Sequence, residues 1–125
     1  MRALVVDDSR SMRAILSKQL RELGFVVEEA PSGQEALARL HANGPIDLVL
    51  LDWNMPEMDG CEVLSHIRSE PRYKLVRVMM VTTESEMSQV AVALEAGANE
   101  YLMKPFDRES LLEKLVLLGL DPAGI

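Results

Sequence analysis

LVLLDWNMPEMDG, residues 48–60, joins an apolar run to a turn and places one carboxylate between them. The run at 48–51 is typical of a strand covered on both faces, because neither face would carry a polar side chain. Asp52 ends the run, and the Met-Pro and Asp-Gly pairs that follow it favour turns. Ligands of an open parallel sheet bind at the carboxyl ends of its strands. The stretch therefore predicts a buried strand that presents Asp52 at a ligand-binding edge.

The composition restricts the class of protein. With 125 residues, of which 48% are hydrophobic, the chain is long enough for a single domain, residues 1–125, with one core. Its net charge of −7 argues against nucleic-acid and anionic-membrane surfaces, which need basic residues. The single Cys61 excludes an internal disulfide and a cysteine-based zinc site. Because no apolar run approaches membrane length, we expect a cytoplasmic protein without a membrane segment.

Strand and helix patterns alternate along the chain. Further short apolar runs lie at 3–6, 25–27, 76–81 and 101–103, and the strand that starts at 25 is expected to continue to about Ala30. Each run is followed by apolar residues at helical spacing, with candidate caps at Ser9 or Ser11, at Ser32 and at Asp107. Strands that alternate with helices in this way predict an α/β protein with a doubly wound, five-stranded parallel sheet and five helices.

The first and fourth helices have predicted buried faces. The first helix is predicted to bury an apolar stripe of Met12, Ile15, Leu16, Leu20 and Leu23. The fourth helix is predicted to bury Met87, Val90, Ala91 and Leu94. The acidic residues at 84 and 86 are expected on a solvated face.

Polar side chains follow four of the predicted strands. They are Asp7 and Asp8, Asp52, Thr82, and Lys104. Right-handed crossovers place these strand ends on the same edge of a parallel sheet. Crowded carboxylates repel one another unless a cation lies among them, and hard oxygen ligands suit Mg²⁺. A lysine and a hydroxyl beside that metal would complete a binding site for a phosphoryl group.

Four motifs of the chain resemble those of one protein family. They are VVDDSRSMR at 5–13, DWNMPEMDG at 52–60, MVTTE at 80–84 and EYLMKPF at 100–106. With these motifs the chain resembles bacterial response-regulator receiver domains over nearly its whole length, in particular the stand-alone receivers of chemotaxis systems. The resemblance implies the flavodoxin-like strand order 2-1-3-4-5. It also implies a phosphorylatable signalling switch of a two-component system with no output domain of its own, not a turnover enzyme.

The resemblance implies a role for the residues of the sheet edge. Asp52 would accept a phosphoryl group from a phosphohistidine on a histidine kinase. Asp8, Asp52 and the backbone carbonyl of Asn54 would bind Mg²⁺ directly, and Asp7 would bind it through a water molecule. Lys104 would contact the phosphoryl oxygens.

The resemblance also implies how the signal leaves the domain. Thr82 would hydrogen-bond the phosphoryl group and move its loop inward, and Tyr101 would rotate with it. The face built from the fourth helix, the fifth strand and the fifth helix would then bind a downstream protein. Met87, Tyr101 and Lys114 supply the apolar, aromatic and basic groups of that face.

Two features depart from the chemotaxis receivers. Thr83 stands where a small alanine is usual, and the fourth helix starts with ESEM at 84–87, without the expected lysines. The flagellar switch is therefore one candidate target, not an assured one. We expect a monomer, and we expect the Lys104–Pro105 peptide bond to be cis, as the resemblance implies.

Three other functions fit parts of the pattern. A stand-alone receiver outside chemotaxis would act as a phosphorelay intermediate or a phosphate sink. A magnesium-dependent phosphohydrolase usually carries its aspartyl nucleophile after the first strand as D-x-D, whereas this chain has DD there and Asp52 on the third strand. A flavodoxin-like cofactor binder needs a phosphate loop after the first strand, where Asp7 and Asp8 would repel a phosphate. Neither G-x-G-x-x-G nor a Walker A motif is present in the sequence.

Overall fold

Five parallel strands form one sheet in the computed structural model, which describes residues 1–42, 44–104 and 106–120. The strands are β1 Arg2–Val6, β2 Val26–Ala30, β3 Leu48–Asp52, β4 Arg77–Thr82 and β5 Glu100–Met103. Their order is β2-β1-β3-β4-β5, and every pair of neighbours is parallel. The predicted fold class and strand order are confirmed.

Five α-helices pack on the two faces of this sheet. They are α1 Arg10–Glu22, α2 Gly33–Ala42, α3 Gly60–Ser69, α4 Val90–Glu95 and α5 Arg108–Leu117, and short 3-10 helices, Pro71–Tyr73 and Glu84–Gln89, precede β4 and α4. Backbone N–H groups in the first turns of α1, α3 and α5 donate to the side chains of Ser9, Asp59 and Asp107. The predicted caps at Ser9 and Asp107 are confirmed. No helix in the described ranges is both long and apolar enough to cross a membrane.

The sheet divides the hydrophobic core into two clusters. Alternate residues of a strand point to opposite faces, so Leu4 and Met80 pack with α2 and α3, whereas Leu50 and Met79 pack with α1 and α5. β3 lies in the middle of the sheet and is buried along its whole length, Asp52 included. This burial explains why its sequence is a continuous apolar run.

α1 buries a narrower stripe than its sequence predicts. Leu16 and Leu20 are buried, and Met12 and Leu23 pack against the same cluster. Ile15 is 51% exposed, so its predicted burial is wrong. Leu16 and Leu20 lie above one another at i, i+4, whereas Ile15 is rotated from Leu16 by roughly 100° around the helix axis.

The region of the fourth helix also differs from its prediction. Its first half is a 3-10 helix, whose tighter winding presents other side chains to the sheet than a continuous α-helix would. Ala93 is the buried residue of α4, while Ala91 and Leu94 are exposed. Met87 and Val90 are half-buried. The predicted stripe is therefore wrong in its second half, because the sequence pattern assumed one regular helix.

Arg68, in the last turn of α3, forms hydrogen bonds with the segments that precede β4 and β5 at the amino-terminal edge of the sheet. Its guanidinium donates to the backbone carbonyls of Tyr73, Val76 and Gly97 at 3.0, 2.7 and 2.9 Å. It also donates to Asn99 Oδ1 at 2.8 Å. Gly97 has a φ of +113°, and a Cβ there would lie 2.8 Å from Arg68 Cγ, so glycine is needed at this position.

Candidate functional site

The candidate site lies at the carboxyl edge of the sheet, where the neighbouring strands β1 and β3 end. Asp7 and Asp8 follow β1, and Asp52 is the last residue of β3. Carboxylate oxygens of these three residues lie within 4.8 Å of one another. Asp7 and Asp52 are only 1% and 6% exposed, whereas Asp8 is open to solvent. The predicted acidic cluster is therefore present, with Asp8 on its solvent side.

Lys104, which follows β5, extends its side chain to this cluster. Its Nζ lies 3.4 Å from Asp52 Oδ1 and 3.5 Å from Asp7 Oδ2. Burial, together with the charge of Asp7, raises the pKa of Asp52 from 3.8 to about 6, although Lys104 acts in the opposite direction. One ammonium group does not balance three carboxylates, so the site keeps a negative charge that favours a bound cation.

Asp7 is held by the start of α1 and still has an unused oxygen. Its Oδ1 accepts a hydrogen bond from Ser9 N–H at 2.8 Å, and its backbone carbonyl accepts one from Arg13 Nη1 at 2.7 Å. Its Oδ2 is buried and accepts no hydrogen bond from the described residues, although Lys104 Nζ lies 3.5 Å away. A buried carboxylate oxygen without a hydrogen bond is costly, so a second cation at this oxygen would be favourable. The all-oxygen donor set fits Mg²⁺, which needs few protein carboxylates.

The loop that follows β3 packs closely against Asp52. Trp53 N–H donates to the carbonyl of Val81 at 3.1 Å, and Gly60 N–H donates to the carbonyl of Trp53 at 3.0 Å. A Cβ at Gly60 would lie 2.5 Å from the carbonyl oxygen of Asp52, so only glycine fits there. Asn54, the predicted carbonyl ligand, lies exposed in this loop. The loop thereby fixes the backbone that carries the Asp52 carboxylate.

Thr82, at the end of β4, is buried and linked to the loop that carries Lys104. It is 2% exposed, and its carbonyl accepts a hydrogen bond from Lys104 N–H at 2.7 Å. Its hydroxyl donates to the carbonyl of Thr83 at 3.3 Å. Among the described residues, the hydroxyl makes no hydrogen bond to Asp52, so Thr82 lies at the site edge without contacting the carboxylate.

Thr83 and Glu86 form the cap of the 3-10 helix that starts at residue 84. The N–H and the hydroxyl of Thr83 both donate to Glu86 Oε1, at 3.1 and 3.0 Å. Glu86, which was expected on a solvated face, is half-buried, and its carboxylate accepts both of these hydrogen bonds. The unusual Thr83 therefore has a local structural role.

The structure brings together two of the three residues predicted for the partner-binding face, Tyr101 and Lys114. Lys114 Nζ lies 4.2 Å from the centre of the Tyr101 ring. Met87 is half-buried in the 3-10 helix that precedes α4. The Lys104–Pro105 bond, which we predicted to be cis, lies outside the described residues.

The sequence pattern assigned no role to Arg13 and Gly60 and predicted Ser9 only as a helix cap, whereas all three residues support the site. An aspartate two residues before a serine is a known turn pattern, so the Ser9 contact to Asp7 had a readable signal. The Arg13 contact depends on where a long side chain leaves α1, which the pattern does not show. The need for Gly60 depends on the close approach of Asp52, which only the folded chain reveals.

Comparison with known proteins identifies the family. The family model of the response regulator receiver domain matches residues 3–116. The chain belongs to the response regulator receiver domain family. This receiver domain is 46% identical over 123 residues to the chemotaxis protein CheY1 of Helicobacter pylori strain ATCC 700392 / 26695, covering 97% of this chain and 99% of that protein. It is 43% identical over 116 residues to the chemotaxis protein CheY of Pseudomonas aeruginosa, covering 92% and 93%.

The fold of this receiver domain is similar to those of solved chemotaxis proteins. Vibrio cholerae CheY4, crystallised at pH 4.0, has a TM-score of 0.86 and 37% sequence identity, with 94% of this chain and 97% of that chain covered. Receiver domains are signalling switches of two-component systems, and they bind Mg²⁺ at an acidic pocket. The cluster of Asp7, Asp8 and Asp52 matches such a pocket. The predicted family and response-regulator class are confirmed.

Proposed function

We propose that this receiver domain is a phosphorylatable switch of a chemotaxis two-component system, with Asp52 as its phosphoacceptor. The arrangement around Asp52 supports this proposal most strongly: a buried carboxylate ends the central strand, and Lys104 Nζ lies 3.4 Å from it. The similarity to chemotaxis proteins of three organisms supports the pathway. The domain acts by binding other proteins in the cytoplasm, not by turning over a substrate.

The chemistry we propose is transfer of a phosphoryl group from a histidine kinase. An oxygen of Asp52 attacks the phosphorus of a phosphohistidine, the P–N bond breaks, and its electron pair returns to the imidazole. Because the pKa of Asp52 is about 6, its carboxylate is ionised at neutral pH and able to attack. The ammonium of Lys104 is placed to contact the phosphoryl oxygens and stabilise their charge.

The residues that would hold Mg²⁺ are those of the acidic cluster. Asp8 is exposed and accepts no hydrogen bond from another described residue, which suits a direct ligand. Asp52 and the backbone carbonyl of Asn54 would complete the direct ligands, and Asp7 would act through a water molecule. Bound Mg²⁺ would neutralise part of the charge on the carboxylates and on the phosphoryl oxygens.

The switch that we propose runs through Thr82 and Tyr101. Within the described part of the chain, the Thr82 hydroxyl donates only to the carbonyl of its neighbour Thr83, at 3.3 Å, a long hydrogen bond that a phosphoryl oxygen can replace. The Thr82 carbonyl also accepts a hydrogen bond from Lys104 N–H, so movement of the loop after β4 is coupled to movement of the loop after β5. Tyr101 rotates with this movement, and the face with Met87, Tyr101 and Lys114 then binds a downstream protein. The flagellar switch is the first candidate, and the receiver acts as a monomer.

The test of the phosphoacceptor is incubation with acetyl phosphate and Mg²⁺, followed by intact mass measurement. We expect one added phosphoryl group on the wild type, none on Asp52→Asn, and full labelling of the control Glu113→Gln, which removes an exposed acid from α5. Labelling of the Asp52→Asn protein to full stoichiometry would refute the assignment. Steady turnover of phosphate esters would instead indicate a phosphohydrolase.

The test of the output face is capture of proteins by the receiver loaded with beryllofluoride and Mg²⁺, compared with the unloaded receiver. Tyr101→Ala and Lys114→Glu should each reduce capture of the loading-dependent partner without slowing phosphorylation. Capture of a histidine phosphotransfer protein in place of a motility protein would favour the phosphorelay function.

A further inference from the structure

Glu100, the first residue of β5, contacts both Lys114 and Tyr101. Its Oε1 accepts hydrogen bonds from Lys114 Nζ at 2.9 Å and from Tyr101 N–H at 3.1 Å. Lys114 Nζ also lies 4.2 Å from the centre of the Tyr101 ring. The side chains of Lys114 and Glu100 are only 24% and 21% exposed. Carboxylate, ammonium and aromatic ring therefore form one closed cluster.

This cluster lies at the edge of the sheet and joins its two faces. Leu102 packs in the core cluster that contains α5 residues, whereas Tyr101 packs against the cluster on the opposite face. β5 is the edge strand next to β4, so the Lys114 side chain passes the free side of β5 to reach the Tyr101 ring. A rotation of Tyr101 would remove the ring from beneath the ammonium.

We propose that Glu100 is a positioning residue that holds Lys114 over the Tyr101 ring and thereby keeps the output face in its resting arrangement. The inference rests on the proposed function, because it requires Tyr101 to move when Asp52 is phosphorylated. Glu100 also neutralises Lys114, so a partner that binds the ammonium must compete with this carboxylate. A partly exposed ion pair with an ammonium–ring contact biases the resting form by about two- to fivefold.

The test uses fluorine NMR of the protein labelled with 3-fluorotyrosine. The chain has two tyrosines, and Tyr73 lies in the 3-10 helix before β4, with its ring beside His41 and Arg72, so its signal is an internal control. The Tyr101 signal is recorded with and without beryllofluoride and Mg²⁺ for the wild type, Glu100→Gln and Glu113→Gln. Glutamine keeps an oxygen for Tyr101 N–H and removes only the charge, and Glu113→Gln removes the same charge from an exposed position next to Lys114.

In unloaded Glu100→Gln we expect the Tyr101 signal to move toward its loaded position, with about two- to fivefold more of the loaded form. The Tyr73 signal should stay in place, and Glu113→Gln should give the same spectra as the wild type. Lys114→Gln should give the same shift, and the double variant should add nothing, because both changes break one interaction. High salt should move the Tyr101 signal of the unloaded wild type toward its loaded position, but it should not move the signal of unloaded Glu100→Gln.

Two results would overturn the inference, and they are distinguishable. If beryllofluoride moves the wild-type Tyr101 signal but unloaded Glu100→Gln matches unloaded wild type, Glu100 does not position Lys114. If beryllofluoride labels the site and leaves the wild-type Tyr101 signal in place, the proposed switch itself is wrong, and the role of Glu100 fails with it.

Discussion

Replacing Asp52 with asparagine should stabilise the metal-free protein at neutral and higher pH. The folded state raises the pKa of Asp52 from 3.8 to about 6, so the ionised carboxylate opposes folding. At about 1.4 kcal/mol per pKa unit, this rise corresponds to an upper limit of about 3 kcal/mol. Lys104 loses one of its two carboxylate contacts in the variant, so we expect a net gain of about 1–2 kcal/mol.

The sign of this effect depends on pH. Since the folded-state pKa is raised, the contribution of Asp52 to stability is complete below pH 3.8 and is lost as the pH rises through about 6. The variant should therefore exceed the wild type at about pH 8, and the difference should shrink to a small remainder near pH 4, where Asp52 is neutral in the folded state and only partly ionised in the unfolded state.

Thermal unfolding in EDTA at these two pH values measures the difference. The expected gain at the higher pH is about 4–8 °C in Tm, with no change for Glu113→Gln. Millimolar Mg²⁺ should raise the Tm of the wild type and reduce the advantage of the variant, because the metal binds the ionised carboxylate. A metal-free Asp52→Asn protein that is less stable than the wild type at pH 8, or a gain that persists unchanged at pH 4, would refute the reasoning.

Three further outcomes are expected. The fluorescence of Trp53, the single tryptophan, should change on adding Mg²⁺, with half-saturation at roughly sub-millimolar to millimolar concentration. Asp8→Ala should weaken this response and leave the Tm of the metal-free protein equal or higher. An unchanged Mg²⁺ affinity of Asp8→Ala would show that Asp8 is not a ligand. Thr82→Ala should still accept a phosphoryl group, but its binding to the partner should no longer depend on phosphorylation. If a capture assay shows the same dependence on phosphorylation as in the wild type, the proposed route through Thr82 is wrong. Gly60→Ala should lower the free energy of unfolding by about 2 kcal/mol or more in denaturant titrations, because its Cβ would lie 2.5 Å from the carbonyl oxygen of Asp52. A loss below about 0.5 kcal/mol would mean that the loop after β3 moves to make room for the added methyl group.

The sequence was sufficient for the sheet and for the acidic cluster. Apolar runs such as 48–51 predict buried strands, and parallel topology then places Asp7 and Asp52 on one edge without further information. The fourth helix was predicted less well, because a 3-10 segment changes which side chains face the sheet. The contacts of Glu100 were not predicted, since they require the position of β5 relative to the helix that follows it, which the pattern of either element alone does not give.

Arg68 gives the two ends of the sheet unequal mechanical properties. Its four hydrogen bonds, with the additional bond from Val78 N–H to Asn99 Oδ1 at 2.8 Å, anchor the amino-terminal end of β4 and the entry to β5. If phosphorylation pulls on Thr82 and Lys104 as we propose, strands held at their amino-terminal ends should not slide along their axes. We expect the displacement to pass instead into the helices that follow β4 and β5.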